Sequence, residues 1–197
     1  MPAADRRPVA VLAPGWGGSK DQSILVKVSA ALEKIGVRAV RTEFSRAGRP
    51  SPGYATEIAE LEAAVARARP KGRLYLLGRS FGGRICAFLA VRSPPAGLVL
   101  LGHPIRPPGR VRAEDESALK ALRCPTLVVQ GDGDELGPLE VLEPLLRENP
   151  RVELKVLAGC GHALREAEAV RAAATWIGKK EEEEKEKAPS PHGRGKG

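Results

Sequence analysis

The segment "LYLLGRSFGGRICA", residues 74–87, constrains the fold of this chain more than any other. A strand run at 73–78 meets a helical pattern through Gly78-Arg79-Ser80-Phe81-Gly82, leaving no room for a loop. Small residues on either side of a serine let a strand and a helix approach closely, which puts Ser80 on a strained turn at a strand end. A buried strand of this kind needs neighbours to pair with, and the rest of the sequence supplies them.

Apolar runs recur at 9–13, 97–102 and 125–131, with the composition of parallel strands buried on both faces. Two further runs, 37–44 and 151–157, carry charges at intervals. In the second, Val152, Leu154 and Val156 alternate with Arg151, Glu153 and Lys155, which places these two strands toward the sheet edges. Between the strands, Ile24, Val28, Ala31 and Ile35 form a helical stripe with Gly36 as its cap. A second stripe is Ile58, Leu61, Val65 and Ala68, stopped by Pro70. The last is Ala163, Ala167, Val170, Ala174 and Ile177, with Trp176 beside it. The expectation is an α/β fold: a mostly parallel six-stranded sheet with helices on both faces, in one domain over residues 1–178. The sequence "KKEEEEKEKAPSPHGRGKG" has no apolar anchor, so residues 179–197 are expected to form a charged, disordered tail.

The three cysteines, Cys86, Cys124 and Cys160, form no CxxC pair and are odd in number, which points to reduced thiols and a cytoplasmic location. The start of the chain lacks a signal-peptide pattern, and no apolar run approaches membrane-span length, so no membrane partner is expected. The three histidines have no ligand-like spacing, so no metal and no cofactor are expected. The formal net charge is +8, spread over the folded part without a block of like charge. Nucleic-acid binders concentrate such charge on one element with aromatics nearby, and aromatics are 4% here, so no nucleic-acid partner is expected.

A serine hydroxyl needs a base to become a nucleophile, and the base needs a group to orient it. His162, in "LAGCGHAL", follows the last strand and is the candidate base. His103, in "LLGHPIRPP", is a reserve base and a candidate for lining the substrate pocket; His192 lies in the expected tail. For the acid, "QGDGDELGP" offers Asp132, Asp134 and Glu135. Asp134 is chosen because it lies past the strand end, where its loop can reach the histidine, while Asp132 is left to shape the turn. The chain order Ser80, Asp134, His162 is that of an α/β-hydrolase.

With "VLAPGWGGS", "LLGRSFGGR", "LLGHPIRPPG", "PTLVVQGDGDELG" and "GCGH", the chain resembles a small, capless α/β-hydrolase of the dienelactone-hydrolase-like kind. It is similar to short bacterial proteins related to testis-expressed and KANL-type hydrolase-like proteins, over about residues 8–178. The resemblance implies a catalytic triad of Ser80, Asp134 and His162, with oxyanion-hole N–H groups at Phe81 and Trp16. A true dienelactone hydrolase carries cysteine where this chain has Ser80, so that activity is not implied. Related enzymes often have His-Gly where this chain has Pro14-Gly15, so an orienting histidine is missing. The segment 103–124 is too short for a lid domain, which implies an open site lined by Trp16, Phe81 and His103.

The glycine-rich loop "APGWGGSKDQ" also has to be weighed as a phosphate cradle. Lys20 stands where a dinucleotide fingerprint needs its third glycine, and Gly18-Ser19-Lys20 does not fit a P-loop. Glu43 is the one residue placed to bind a ribose. Ser19 and Gln22 read instead as a capping box for the helix that follows. The expected function is a serine hydrolase acting on the ester, thioester or related acyl bond of a small-molecule substrate. The rival is a non-catalytic protein that keeps the α/β-hydrolase fold for binding.

Overall fold

The computed structural model describes residues 6–46 and 48–187. Six strands, β1 (Val9–Ala13), β2 (Arg38–Arg41), β3 (Leu74–Arg79), β4 (Gly97–Leu101), β5 (Thr126–Gly131) and β6 (Val152–Leu157), form one sheet. All five pairings are parallel, in the order β2-β1-β3-β4-β5-β6. The two charged strands lie at the edges. In β6 the charged Glu153 and Lys155 are exposed, whereas every residue of β1, β4 and β5 is buried.

The sheet separates two apolar layers because successive strand residues point to opposite faces. Val9, Val11, Leu76, Leu98 and Val128 pack on one side with helices α2 (Ala55–Ala68), α3 (Phe81–Arg92), α4 (Ala113–Ala121) and α5 (Leu139–Arg147). Their strand neighbours Ala10, Leu12, Leu77, Val99 and Val129 pack on the other, against α1 (Ser23–Lys34) and α6 (Glu166–Lys187). Helices therefore cover both faces. The short α4 and α5 have no clear sequence stripe; α5 carries Pro144 within it yet buries Leu142, Leu145 and Leu146.

Three details differ from the sequence reading. The buried face of α1 is Ile24, Leu25, Val28 and Leu32, leaving Ile35 at 46% exposure, while Gly36 takes the positive φ of a helix terminus. The last helix begins at Glu166, after a left-handed Leu164, so its buried face becomes Ala169, Ala173, Trp176 and Ile177. That helix also continues past Gly178 to Lys187, so residues 179–187 are not a disordered tail; residues 188–197 lie outside the described residues.

The helix persists because its charged residues have partners on the sheet. Glu181 accepts the hydroxyl of the buried Tyr75 and pairs with Arg73 at 3.1 Å, and Glu184 pairs with Arg73 at 2.7 Å. Lys180 lies over the Trp176 ring and 3.3 Å from Glu183, one turn along. Polar side chains here take the anchoring role that apolar ones have elsewhere.

Candidate active site

Parallel strands open a crevice at their carboxyl ends, and the chemically equipped loops of this chain converge there. Ser80 leaves the end of β3 with φ 48° and ψ −113°, a strained conformation for a residue with a side chain. The next residue, Phe81, starts α3. The turn is this sharp because Gly82 packs against the chain at the end of β1. A Cβ at Gly82 would come within 2.4 Å of the Pro14 carbonyl oxygen.

Asp134 lies three residues beyond β5, and His162 lies five beyond β6. To reach Ser80 the β6 loop has to pass over the ends of β5 and β4. Gly131 permits this, since a Cβ there would meet the Cys160 carbonyl oxygen at 2.2 Å. Asp132 holds the loop from below, accepting the Gly159 N–H at 2.9 Å and the Cys160 N–H at 3.2 Å. Those backbone bonds, the Gly159 one foremost, keep its carboxyl below its ordinary pKa.

The outcome is one hydrogen-bonded chain. Ser80 Oγ lies 2.8 Å from His162 Nε2, and His162 Nδ1 lies 2.9 Å from Asp134 Oδ2 and 3.1 Å from Oδ1. With Nδ1 donating to the carboxylate, Nε2 is left as the acceptor for the serine hydroxyl. The Asp134 side chain is fully buried, while that of His162 is 25% exposed. Glu135 is exposed and takes no part in this chain.

Two residues that the sequence reading did not single out hold the chain in place. Gln130, on β5, donates to Asp134 Oδ2 at 2.7 Å and to the Gly137 carbonyl at 3.0 Å, and accepts the His103 N–H at 2.8 Å. The Leu136 N–H occupies Asp134 Oδ1 at 2.9 Å. Arg79, the variable residue of the serine motif, is buried beside His162, where burial lowers its pKa against the opposing pull of Asp134 and Glu166. A polar residue inside an otherwise apolar strand, such as Gln130 in "TLVVQG", was the available signal.

His103 does not line the cleft. Its side chain is buried, and neither ring nitrogen has a hydrogen-bond partner among the described residues. Burial, reinforced by Arg84 and Arg112, pushes its pKa down to about 3, so it is neutral. Buried and absent from the residues that line the cleft beside Ser80, it is neither a reserve base nor a pocket wall.

In the glycine-rich loop, Gln22 does not cap α1 with its side chain. Its Oε1 instead accepts the Gly15 N–H at 2.9 Å, and Ser19 Oγ accepts the Asp21 N–H at 3.2 Å. The capping box is therefore absent, because its glutamine ties down the loop. Lys20 lies 3.6 Å from Glu43, so the residue considered for a ribose faces a lysine. The Trp16 ring meets the Phe81 ring edge-on at 5.5 Å. Both rings line a cleft of about 190 Å³ that also contains Ser80.

Residues 6–181 match the family described as the alpha/beta hydrolase domain. The chain belongs to this family. This alpha/beta hydrolase also shares its fold with solved structures of low identity. Est1E from Butyrivibrio proteoclasticus, with ferulic acid bound, is 18% identical with a TM-score of 0.75, over 91% of this chain and 92% of that one. A monoacylglycerol lipase from Paleococcus ferrophilus is 13% identical with a TM-score of 0.74, over 88% and 96%. An alpha-beta serine hydrolase homologue from Coxiella burnetii is 22% identical with a TM-score of 0.70, over 88% of each chain. No curated protein is similar enough in sequence to count as a match. Among the described residues of the hydrolase, no helix is long and apolar enough to cross a membrane, and no group of three or more His, Cys, Asp or Glu could hold a metal ion.

Proposed function

We propose that this alpha/beta hydrolase is a serine hydrolase that cleaves an ester, thioester or related acyl bond of a small molecule. The observation that carries the reading is the unbroken chain Ser80–His162–Asp134, with its serine on a strained turn in the wall of a cleft. His162 takes the Ser80 proton as Oγ bonds to the carbonyl carbon, and Asp134 stabilises the imidazolium that results. The proton then passes to the departing alcohol or thiol. Water, deprotonated by His162, attacks the acyl-serine, releasing the acid and restoring Ser80.

The oxyanion of each tetrahedral intermediate needs two donors. Phe81, as the first residue of α3, has a backbone N–H with no partner required inside the helix. The Gly15 N–H is taken by Gln22 and Pro14 has none, which is consistent with the Trp16 N–H, the donor that the family resemblance implies for the opposite loop. The bond from Gln22 orients this loop where related enzymes use a histidine. The three free cysteines support a reducing, cytoplasmic setting. The cleft beside Ser80, at about 190 Å³, suits a small acyl group.

A fluorophosphonate probe tests the reading. Labelling of the native protein and none of Ser80→Ala supports it, with hydrolysis of short p-nitrophenyl esters following the same pattern. No labelling of the native protein, with no ester turned over, rejects it in favour of a binding protein on the same fold.

A further inference from the structure

The cleft beside Ser80 has a charge that the proposed reaction does not use. Arg84 and Arg112 both line it, and no Asp or Glu does among the described residues. The two guanidinium groups have different standing. Arg84 is neutralised: its Nε and Nη2 meet the two oxygens of Asp115 at 2.6 Å each, in a pair that is almost fully buried, and it lies over the Tyr54 ring. Arg112 has no carboxylate partner among the described residues; one Nη donates to the Pro104 carbonyl at 2.8 Å. That bond fixes the fork and leaves its other donors for a ligand.

Among the described residues no neighbouring carboxylate forms an ion pair with Arg112, although Asp115 offsets part of the surrounding positive charge. Asp115 is committed to Arg84, Glu116 to Arg106 and Asp134 to His162. Glu114 lines a second cavity, of about 520 Å³, that adjoins the first at Trp16 and Arg112 and also contains Arg110. Burial is the main cause that lowers the pKa of Arg112, with Arg84 adding to it and Asp115 opposing, and an anion in the cleft would offset that cost of burying the cation.

Resting on the serine-hydrolase reading, we infer that Arg112 is a specificity residue that receives a carboxylate on the acyl part of the substrate. The substrate class is then the monoester or thioester of a short dicarboxylic acid. The inner cleft, below the roughly 300–1,000 Å³ typical of ligand pockets, takes the small charged acyl group. The adjoining cavity takes the alcohol or thiol part. Ser80 Oγ bonds to the ester carbon, the alcohol departs with the proton from His162, and water releases the free dicarboxylate.

The test compares monoethyl succinate with ethyl 4-oxopentanoate, a neutral ester of similar shape, by pH-stat at low salt. The native protein is expected to show the higher kcat/KM for the anionic ester. In Arg112→Gln the ratio of the two values falls about ten- to hundredfold, as for loss of a charge-assisted hydrogen bond. Arg112→Lys, which keeps the charge without the fork, retains part of the preference. Fluorophosphonate labelling of both variants verifies that the site is folded. A second arm measures calorimetric binding of monoethyl succinate to Ser80→Ala and to Ser80→Ala/Arg112→Gln; binding only to the first supports the subsite.

A native ratio near one, or the same ratio in Arg112→Gln, overturns the inference and leaves the hydrolase reading intact if both esters are cleaved. If neither ester is cleaved and no probe labels Ser80, the hydrolase reading fails and the binding arm decides the subsite alone. Binding abolished by Arg112→Gln then upholds a carboxylate site, and no binding overturns it.

Discussion

Arg79 grips His162 at two points: one Nη donates to the histidine's own carbonyl at 2.5 Å, and the other lies 3.3 Å from its ring Nε2. The residue before the candidate nucleophile thus fixes the position of the candidate base across 83 residues of sequence. Ser80 and Arg79 both direct donors at Nε2, and only the serine is 2.8 Å away.

Arg79 is a positioning residue, and its replacement is expected to show as a fall in kcat rather than a rise in KM. Arg79→Met removes the donor to the His162 carbonyl and frees the β6 loop. Misplacement of a reacting group by about 1 Å costs about a hundredfold, so kcat on a short ester and the rate of fluorophosphonate labelling should fall by about ten- to hundredfold. Arg79→Lys should recover part of the loss. Unchanged labelling in a folded Arg79→Met protein would show that the β6 loop holds His162 without help.

Gln130 offers a second test of how the acid is held. Gln130→Leu leaves Asp134 Oδ2 without its donor at 2.7 Å and strips the Gly137 carbonyl of its partner. A buried polar group left unpaired costs about 1–3 kcal/mol, which chemical denaturation should detect as a lower midpoint. Gln130→Glu keeps the shape but places a second carboxylate against Asp134, and should be worse for kcat than leucine. Equal kcat in the two variants would mean that the Leu136 N–H and His162 hold Asp134 without Gln130.

The elbow at Ser80 and the order of its partners were legible in the sequence because each depends on local pattern: a strand, a small residue, a strand end. The edge strands could be read as well, since charge at alternate positions cannot be buried on both faces. Arg79, Gln130 and Gln22 could not be read as anchors, because each acts through a partner brought close only by the crossing of loops. His103 misled for the same reason. Its place after a strand suggested the cleft, while its ring is buried in the interior and its backbone N–H is held by Gln130. The continuation of α6 was hidden because its anchors are polar: Glu181 and Glu184 read as solvated charge until Arg73 and Tyr75 are placed beneath them.

That continuation makes its own prediction. Glu181→Ala leaves the Tyr75 hydroxyl, buried at the start of β3, without its acceptor and Arg73 with one carboxylate fewer. The expected loss is about 1–3 kcal/mol. For a chain of this length that is a fall of about 2–12 °C in Tm, measured by thermal unfolding followed by circular dichroism. Glu182→Ala, one position along on an exposed part of the helix, should change Tm by less than about 2 °C. Equal effects from the two would reduce the contact between α6 and Tyr75 to a surface detail.

The buried His103, whose ring nitrogens have no partner among the described residues, should make the protein sensitive to mild acid. Its folded pKa is pushed down to about 3 from an ordinary 6.5, so the folded protein holds it neutral where the unfolded chain would protonate it. The unfolded state therefore binds the extra proton below pH 6.5. The stability due to this group is fully present above that value and falls as pH drops toward 3. At pH 5 the loss from this one residue is about 2 kcal/mol relative to pH 7.5. His103→Leu, which has no titrating group, should flatten the curve of unfolding free energy between pH 6.5 and 4, whatever it does to stability at pH 7.5. The measurement is urea denaturation at pH steps through that window for both proteins. Parallel curves for the native protein and the variant would mean that His103 is hydrated or partnered in solution, and that the acid response comes from other groups.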